Sequence, residues 1–521
     1  MNAASEPVVV SRKTFPHGMV VSPHTTASEA GQTILQQGGN AIDAAVAVSA
    51  ALSVTYPHMN GLGGDGLWLI YDASTRQVHG LNGSGRSAAG LDETKLHQRG
   101  AAAAVTVPGA VDAWWQVHQR FGQWPWAALL QPAIQLAQTG YKLSSSQFCW
   151  TRKDWQLLSQ DVGARATFSM AAQGSWVKNL ALATVLETLA AEGAAVFYQG
   201  DIAQAIVDYV APLGSPLRLE DFANHHSDWV EPITTTYRDH RVYQLPPNTQ
   251  GLSVLQILNL IEPYDIANLD EGNYYHLMVE AVKLAFCDRN RWVGDPAFTH
   301  IPVEQLISKA YADELRSQIN LHRAESAQSD ASGGDTIYAA VVDRYGNAVS
   351  WLQSLYFDYG CGVVPPTLGF ALNNRGAIFD PDPTHVNGIA PVKRPLNTLI
   401  PAMALHDGKP RLVFGTMGGE GQPQTQVALL TRVLDLGLDI QTAVNLPRWR
   451  WGRTWGQPSA QLALEGRIAN DIRQTLRQRG HQLQIEADWS EAMGHAHMIQ
   501  IKADRLLGAC DPRSDGVALG F

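Results

Sequence analysis

Apolar and polar positions change rhythm three times along this chain. From residue 27 to residue 52 the stretch ASEAGQTILQQGGNAIDAAVAVSAAL reads as two Ala-rich helices broken at Gly38-Gly39. The first has a polar face and buries the other; the second has so few polar positions that it must be covered almost all round. After a GLGGDG loop, LWLIYD predicts a short apolar strand, and VHGLNGSG predicts a second one ending at Arg86. VPGAVDAWWQVHQRFG, 107–122, opens a helix whose Trp114 and Trp115 read as core. Residues 125–325 read as helix-rich, with the clearest amphipathic pattern in YYHLMVEAVKLAFCDRNRW at 274–292. RAESAQSDASGGD, 323–335, is small, polar and Gly/Ser-rich, which is linker chemistry. Beyond it the period shortens to two, and TIYAAVVD, AVSWLQSL, GFALNN, TLIPAMAL and RLVFGTM are predicted strands.

Composition narrows the function classes. The 521 residues are 45% hydrophobic and 17% charged with 15 Trp, which describes a folded globular chain with a sizeable core. A net charge of −10 without any Lys/Arg block argues against nucleic acid or an anionic membrane as partner and favours a small-molecule ligand. The most apolar stretch, 43–56, is shorter than the roughly 18 residues a membrane span needs, and MNAASEPVVVSRKTF has no apolar signal region, so a cytoplasmic location is expected. Cys149, Cys287, Cys361 and Cys510 are scattered and read as buried, inert thiols. No HExxH or other metal-ligand spacing occurs, so neither a metal nor a cofactor is expected, and the histidines read as surface or core residues. GLGGDG formally matches GxGxxG at Gly61, Gly63 and Gly66, but the strand follows the glycines instead of preceding them. Close backbone approach explains those glycines better than a dinucleotide.

The candidate chemistry lies where linker meets strand. Thr336 heads the first predicted strand after the polar tail. It is either an ordinary strand start or a residue that becomes an N-terminus. An N-terminal threonine is a self-contained catalyst, its hydroxyl the nucleophile and its own α-amine, with a pKa of about 8, the base. Ser354 on the next strand and the GTMGG turn, where consecutive N–H groups of Gly418 and Gly419 offer an oxyanion hole, fit that reading. A plain tight turn accounts for the Gly pair equally well.

The ordered motifs ASEAG…GGNAIDAAVA, GLGGDG, VPGAVDAW, WPWAALLQPAIQLAQTGY, HLMVEAVKLAFCDRNRWVGDP, TIYAAVVDRYGNAVS, GVVPPTLGFALNNRG, KRPLNTLIPAM, GTMGGEGQPQTQ and GACDPRSDG together resemble the γ-glutamyltransferase family of N-terminal-nucleophile (Ntn) hydrolases over nearly the whole chain. The resemblance implies an α+β fold, the four-layer αββα sandwich of Ntn hydrolases. It further implies one precursor cut between Asp335 and Thr336 into a large subunit, 1–335, and a small subunit, 336–521, which together form one domain. By motif, Thr336 is the implied nucleophile, Ser354 its assisting hydroxyl, Gly418 and Gly419 the oxyanion pair, and Arg86 the grip on a substrate carboxylate. The implied partners are a small anionic amide and the chain's own two halves, and a homodimer of the processed heterodimer is compatible with them.

Departures from the family pattern bear on the substrate. Where a γ-glutamyl transferase carries an Asn in YTLN and a Gln and an Asp in LNNQMDDF, this chain has Tyr356, Arg375 and Ile378. The paired serines after KRPL are Asn397 and Thr398. These features are similar to the hydrolytic branch, the cephalosporin-acylase-like proteins and the oxamate amidohydrolase of purine catabolism. Ile378 and Tyr356 make the expected pocket smaller and less polar, and Arg86 and Arg375 make it cationic. A short anionic amide, oxamate first and glutaryl-type acyl groups second, is the expected substrate. γ-Glutamyl hydrolysis or transfer, and a non-catalytic member of the family, are the rival readings.

Overall fold

A helix with almost no polar side chains needs cover on every side, and Ala41–Thr55 has it, each of its residues being buried. Its start is fixed by Asn40, whose side chain accepts from the N–H groups of Ile42 and Asp43 while Asp43 accepts the Asn40 N–H in return. The preceding helix, Thr25–Gln36, ends where Gly38 takes φ +101°. In a computed structural model of the chain, which describes residues 12–325, 334–452 and 459–521, these helices and Ala110–Phe121 cover one face of a seven-stranded antiparallel sheet. Its strand order is Val517–Gly520, Met19–Ser22, Asp335–Val342, Ala348–Tyr356, Asp65–Asp72, Gln77–Gly83, Asp228–Val230.

Alternation along Asp335–Val342 shows why two sheets stack. Ile337, Ala339 and Val341 point to the helices. Tyr338, Ala340 and Val342 point the other way, where they meet Met403, Val413 and Ile499 of a second antiparallel sheet. That sheet runs Lys13–Phe15, Leu506–Ala509, Ala496–Ile501, Lys409–Thr416, Ala402–His406, His240–Gln244, Ile233–Tyr237. Gly251–Ile261, Glu271–Trp292 and Gly421–Leu434 cover its far side. The result is helix, sheet, sheet, helix, the four-layer αββα sandwich. Because both faces are covered, every residue of Ala348–Tyr356 is buried. On its outer face Trp351 stacks on its cross-strand partner Trp68 at 5.3 Å, worth about 0.5–1.5 kcal/mol beyond area burial.

Four expectations need correction. The 125–325 stretch also holds Asp228–Val230, only three residues long, and Ile233–Tyr237 and His240–Gln244, whose Thr- and His-containing sequences disguise edge and near-edge strands. GFALNN is no strand: Leu372 bridges Gly63, and the N–H groups of Asn373 and Asn374 go to the carbonyls of Gly63 and Leu355. TLIPAMAL contributes a strand only from Ala402, after Pro401. Cys149 and Cys287 are exposed, because each lies on the outward face of its helix, while Cys361 and Cys510 are buried. Among the described residues no helix is long and apolar enough to cross a membrane.

Candidate active site

Thr336 is at the start of Asp335–Val342, an interior strand of the first sheet whose neighbours are Met19–Ser22 and Ala348–Tyr356. Asp335 pairs with Tyr356 and Ile337 pairs with Gln353, so at this point Thr336 alone faces both Ser354 and Leu355. The bulge re-aims the strand end. Tyr356 has φ +82°, a conformation that costs a non-glycine residue about 1–3 kcal/mol. A Cβ on Gly334 would come 2.4 Å from the Tyr356 carbonyl oxygen, so only glycine fits where the chain enters. Thr336 is 1% exposed, and its Oγ1 makes no hydrogen bond among the described residues. A buried hydroxyl without a partner costs about 1–3 kcal/mol, and such groups gather at working sites.

Opposite the bulge the structure assembles a hub that the sequence did not announce. Ser354 Oγ accepts from Tyr356 N at 2.8 Å and from Arg375 Nη2 at 2.9 Å. Arg375 also donates from Nε to Asp65 Oδ2 at 3.2 Å and from Nη1 to Thr398 Oγ1 at 3.3 Å, and its guanidinium lies 4.7 Å from the Tyr356 ring centroid. Asp65 further accepts from Gly85 N at 3.0 Å and Asn397 Nδ2 at 3.2 Å. Both Arg375 and Asp65 are fully buried. Burial pushes the Asp65 carboxyl up, against the opposing pull of the guanidinium. The expectation that Arg375 makes the pocket cationic is therefore corrected: its charge is matched by Asp65 and its donors hold Ser354 and Thr398. GLGGDG brings Asp65 here by the close approach its glycines predicted. A Cβ on Gly63 would sit 2.1 Å from Ala371 O and one on Gly64 2.3 Å from Ser354 O.

The Gly418-Gly419 turn follows strand Lys409–Thr416 and precedes helix Gly421–Leu434. Gly418 has φ +123° and Gly419 φ +52°. Among the described residues neither N–H donates a hydrogen bond, while the carbonyls are held: Gly418 O by Gly421 N and Gly419 O by Gln250 Nε2 at 2.9 Å. Gln250 Nε2 also reaches Thr398 O at 3.1 Å, which ties the turn to the hub. Behind Gln250 stands a fully buried ion pair, Arg289–Glu420 at 2.7 Å, with Arg289 Nη1 donating to Gln250 Oε1. On the other side Met417 N donates to His495 O, and the Gly494 Cα would be 3.3 Å from a Cβ on Gly418. Two free N–H groups on a rigidly backed turn are what an oxyanion needs.

Arg86 follows strand Gln77–Gly83 and donates from Nη2 to Asp228 Oδ2 at 3.0 Å. Asp228 is shared with Arg394, which is further fixed by the carbonyls of Ser84 and His226. One carboxylate thus serves two guanidiniums, and among the described residues Arg86 Nη1 makes no hydrogen bond. A guanidinium nitrogen with a donor to spare suits a carboxylate ligand. Tyr356 and Ile378 meet in a small apolar cluster with Val293, Ala377 and Leu396. Of the residues singled out from sequence, Ser354, Tyr356, Arg375, Ile378, Asn397 and Thr398 join through this hub and cluster. Gly419 is tied in by Gln250, while Arg86 lies on a separate, neighbouring network. Asp65, Asp228, Gln250, Arg289, Arg394 and Glu420 were missed. Only Asp65 left a sequence signal, as a lone acid at the mouth of an apolar strand.

The family model described as "Gamma-glutamyltranspeptidase" matches residues 27–521. The chain belongs to the gamma-glutamyltranspeptidase family. As such it is an Ntn hydrolase that acts on C–N amide bonds. A glutathione hydrolase-like YwrD proenzyme of Bacillus subtilis is 44% identical over 96% of this chain and 98% of its own length. An oxamate amidohydrolase proenzyme of Klebsiella pneumoniae is 40% identical over 97% of this chain and 98% of its own. Among solved structures, cephalosporin acylase from Bacillus halodurans superposes with TM-score 0.93 at 34% identity, covering 100% of this chain and 99% of that one.

Proposed function

We propose that this transpeptidase-family chain is a precursor that cuts itself between Asp335 and Thr336 and then hydrolyses a small carboxylate-bearing amide, oxamate for preference. The observation that carries the first half is the buried Thr336 Oγ1, unpartnered among the described residues, at a bulge where Thr336 faces Ser354 and Leu355 and Asp335 meets the positive-φ Tyr356. Attack of that hydroxyl on the Asp335 carbonyl carbon breaks the peptide C–N bond, frees the Thr336 amine and leaves an ester that water opens. The mature amine, with a pKa of about 8, then takes the hydroxyl proton during attack on substrate. Ser354 Oγ, which accepts from Tyr356 N and Arg375 Nη2, is held in place opposite Thr336. Gly418 and Gly419 N–H groups receive the developing oxyanion. Ammonia departs from oxamate, and the oxalyl ester is cleaved by water.

The preference for a small anion rests on which charges are free. With Arg375 matched by Asp65, Arg86, whose Nη1 makes no hydrogen bond among the described residues, is the group that meets the carboxylate. A γ-glutamyl donor also brings an ammonium group, and Ile378 sits in an apolar cluster where an acid is needed to receive it. Leaving that ammonium desolvated and unpaired costs about 2–5 kcal/mol, roughly 30-fold or more in kcat/KM. The relatives' names divide between glutathione-type and oxamate substrates, so a direct contest is the test. Mature enzyme is offered oxamate, a glutaryl amide and a γ-glutamyl anilide, with ammonia or amine release followed. Oxamate turned over fastest supports the proposal; a γ-glutamyl anilide handled equally well overturns it in favour of the ordinary γ-glutamyl hydrolase.

A further inference from the structure

At the end of the second sheet away from the Gly418-Gly419 turn, two histidines 166 positions apart in sequence become neighbours. Leu405 pairs with Arg241, so the next pair outward is His406 and His240, whose ring centroids are 5.2 Å apart. Each stands beside a two-residue hairpin turn. Arg238-Asp239 joins Ile233–Tyr237 to His240–Gln244, with φ +56° at Arg238. Asp407-Gly408 joins Ala402–His406 to Lys409–Thr416, with φ +50° and +71°. The two turns thus set an aspartate next to each imidazole. Asp239 Oδ1 is 2.6 Å from His240 Nδ1, Asp239 Oδ2 is 3.4 Å from His406 Nδ1, and Asp407 Oδ2 is 3.3 Å from His406 Nε2.

We infer that Asp239, His240 and His406 form a divalent transition-metal site of the zinc type, with Asp407 beside it. One ligand atom from each of the three lies within 4.8 Å of the others. His240 Nδ1 and His406 Nδ1 both face the Asp239 carboxylate, at 2.6 Å and 3.4 Å, so one carboxylate draws both ring nitrogens to a common point. His406 Nδ1 also lies 3.0 Å from the Asp239 carbonyl oxygen, so Asp239 meets this ring through its backbone as well as its carboxylate and fixes the ring's orientation. Arg238 is turned away from the cluster to Asp435 at 2.6 Å. Mixed imidazole and carboxylate donors suit Zn²⁺, and disfavour Ca²⁺ or Mg²⁺, which take oxygen ligands. The eight residues of Lys409–Thr416 put this cluster roughly 25 Å from the Gly418-Gly419 turn, so the ion pins two hairpins together and takes no part in amide cleavage.

The test uses tag-free, metal-stripped full-length protein and Zn²⁺ titrated in competition with a chromogenic chelator. Wild type is expected to bind Zn²⁺ with a rise in thermal midpoint. His240→Gln and His406→Gln are each expected to bind at least about tenfold more weakly while melting like wild type when stripped. Should either variant melt early without metal, Asp239→Asn, on an exposed turn, carries the same comparison. No binding by wild type, or equal binding by wild type and variants, overturns the assignment, the latter by placing the ion elsewhere.

Discussion

Arg86 and Arg375 differ in what they already hold, and that difference makes opposite predictions. Arg375 is fully buried and paired with an equally buried Asp65. Arg375→Gln leaves Asp65 buried without its partner, and breaking such a pair costs about 3–5 kcal/mol. Denaturant titration should register a loss of that size, and the double change Asp65→Asn/Arg375→Gln should lose less than Arg375→Gln alone. Arg86 is a quarter exposed, and among the described residues its Nη1 makes no hydrogen bond. Arg86→Ala should leave stability nearly unchanged and weaken substrate binding by about 2–5 kcal/mol, as a rise in KM. Arg86→Lys should restore only part of it, since the planar fork is lost. A KM that does not move in either variant removes Arg86 from the site.

The segment from Glu491 to His495 is the element that backs the Gly418-Gly419 turn, and it carries a titratable group. Glu491 accepts from Trp150 Nε1 at 2.7 Å and Ser146 Oγ at 3.1 Å, and Arg448 and Arg450 hold the carbonyls of Met493, Gly494 and Ala492. Burial, helped by Asp515, raises the Glu491 carboxyl from 4.5 to about 7. The folded state therefore binds a proton that the unfolded chain has released. That contribution to stability is full below about pH 4.5 and lost as pH rises through about 7. Glu491→Gln, which keeps an oxygen for both donors, should melt above wild type at about pH 8 and match it at about pH 4; parallel curves across that range would show that this carboxyl is not the titrating group. Elements of this length were largely legible in sequence where periodicity was strong, as in Ala41–Thr55 and Asp335–Val342. Ile233–Tyr237 and His240–Gln244 were not, because they are short and rich in Thr, His and Arg. The hub was hidden for a different reason. Asp65, Gln250, Arg289, Arg375 and Glu420 meet only through sheet stacking, and nothing local in the chain marks a buried charge as paired.

At the scale of the molecule, the proposed cut falls inside a fold that needs both halves. The strand headed by Thr336 lies between Met19–Ser22, from before the cut, and Ala348–Tyr356, from after it, and the next strand, Asp65–Asp72, is again from before. The second sheet likewise mixes His240–Gln244 with Ala402–His406. The two pieces should therefore elute as one particle in native size-exclusion chromatography and part only in denaturant; separation under native conditions would mean the interleaved sheets do not outlast the cut. Whether the cut occurs at Thr336 is the claim on which the rest stands, and mass measurement of freshly purified, denatured wild type beside Thr336→Ala addresses it most directly. The account predicts two wild-type fragments, one ending at Asp335 and one beginning at Thr336, and a single uncut, inactive Thr336→Ala chain. An active wild-type chain that stays whole, or one cut at another bond, would contradict it.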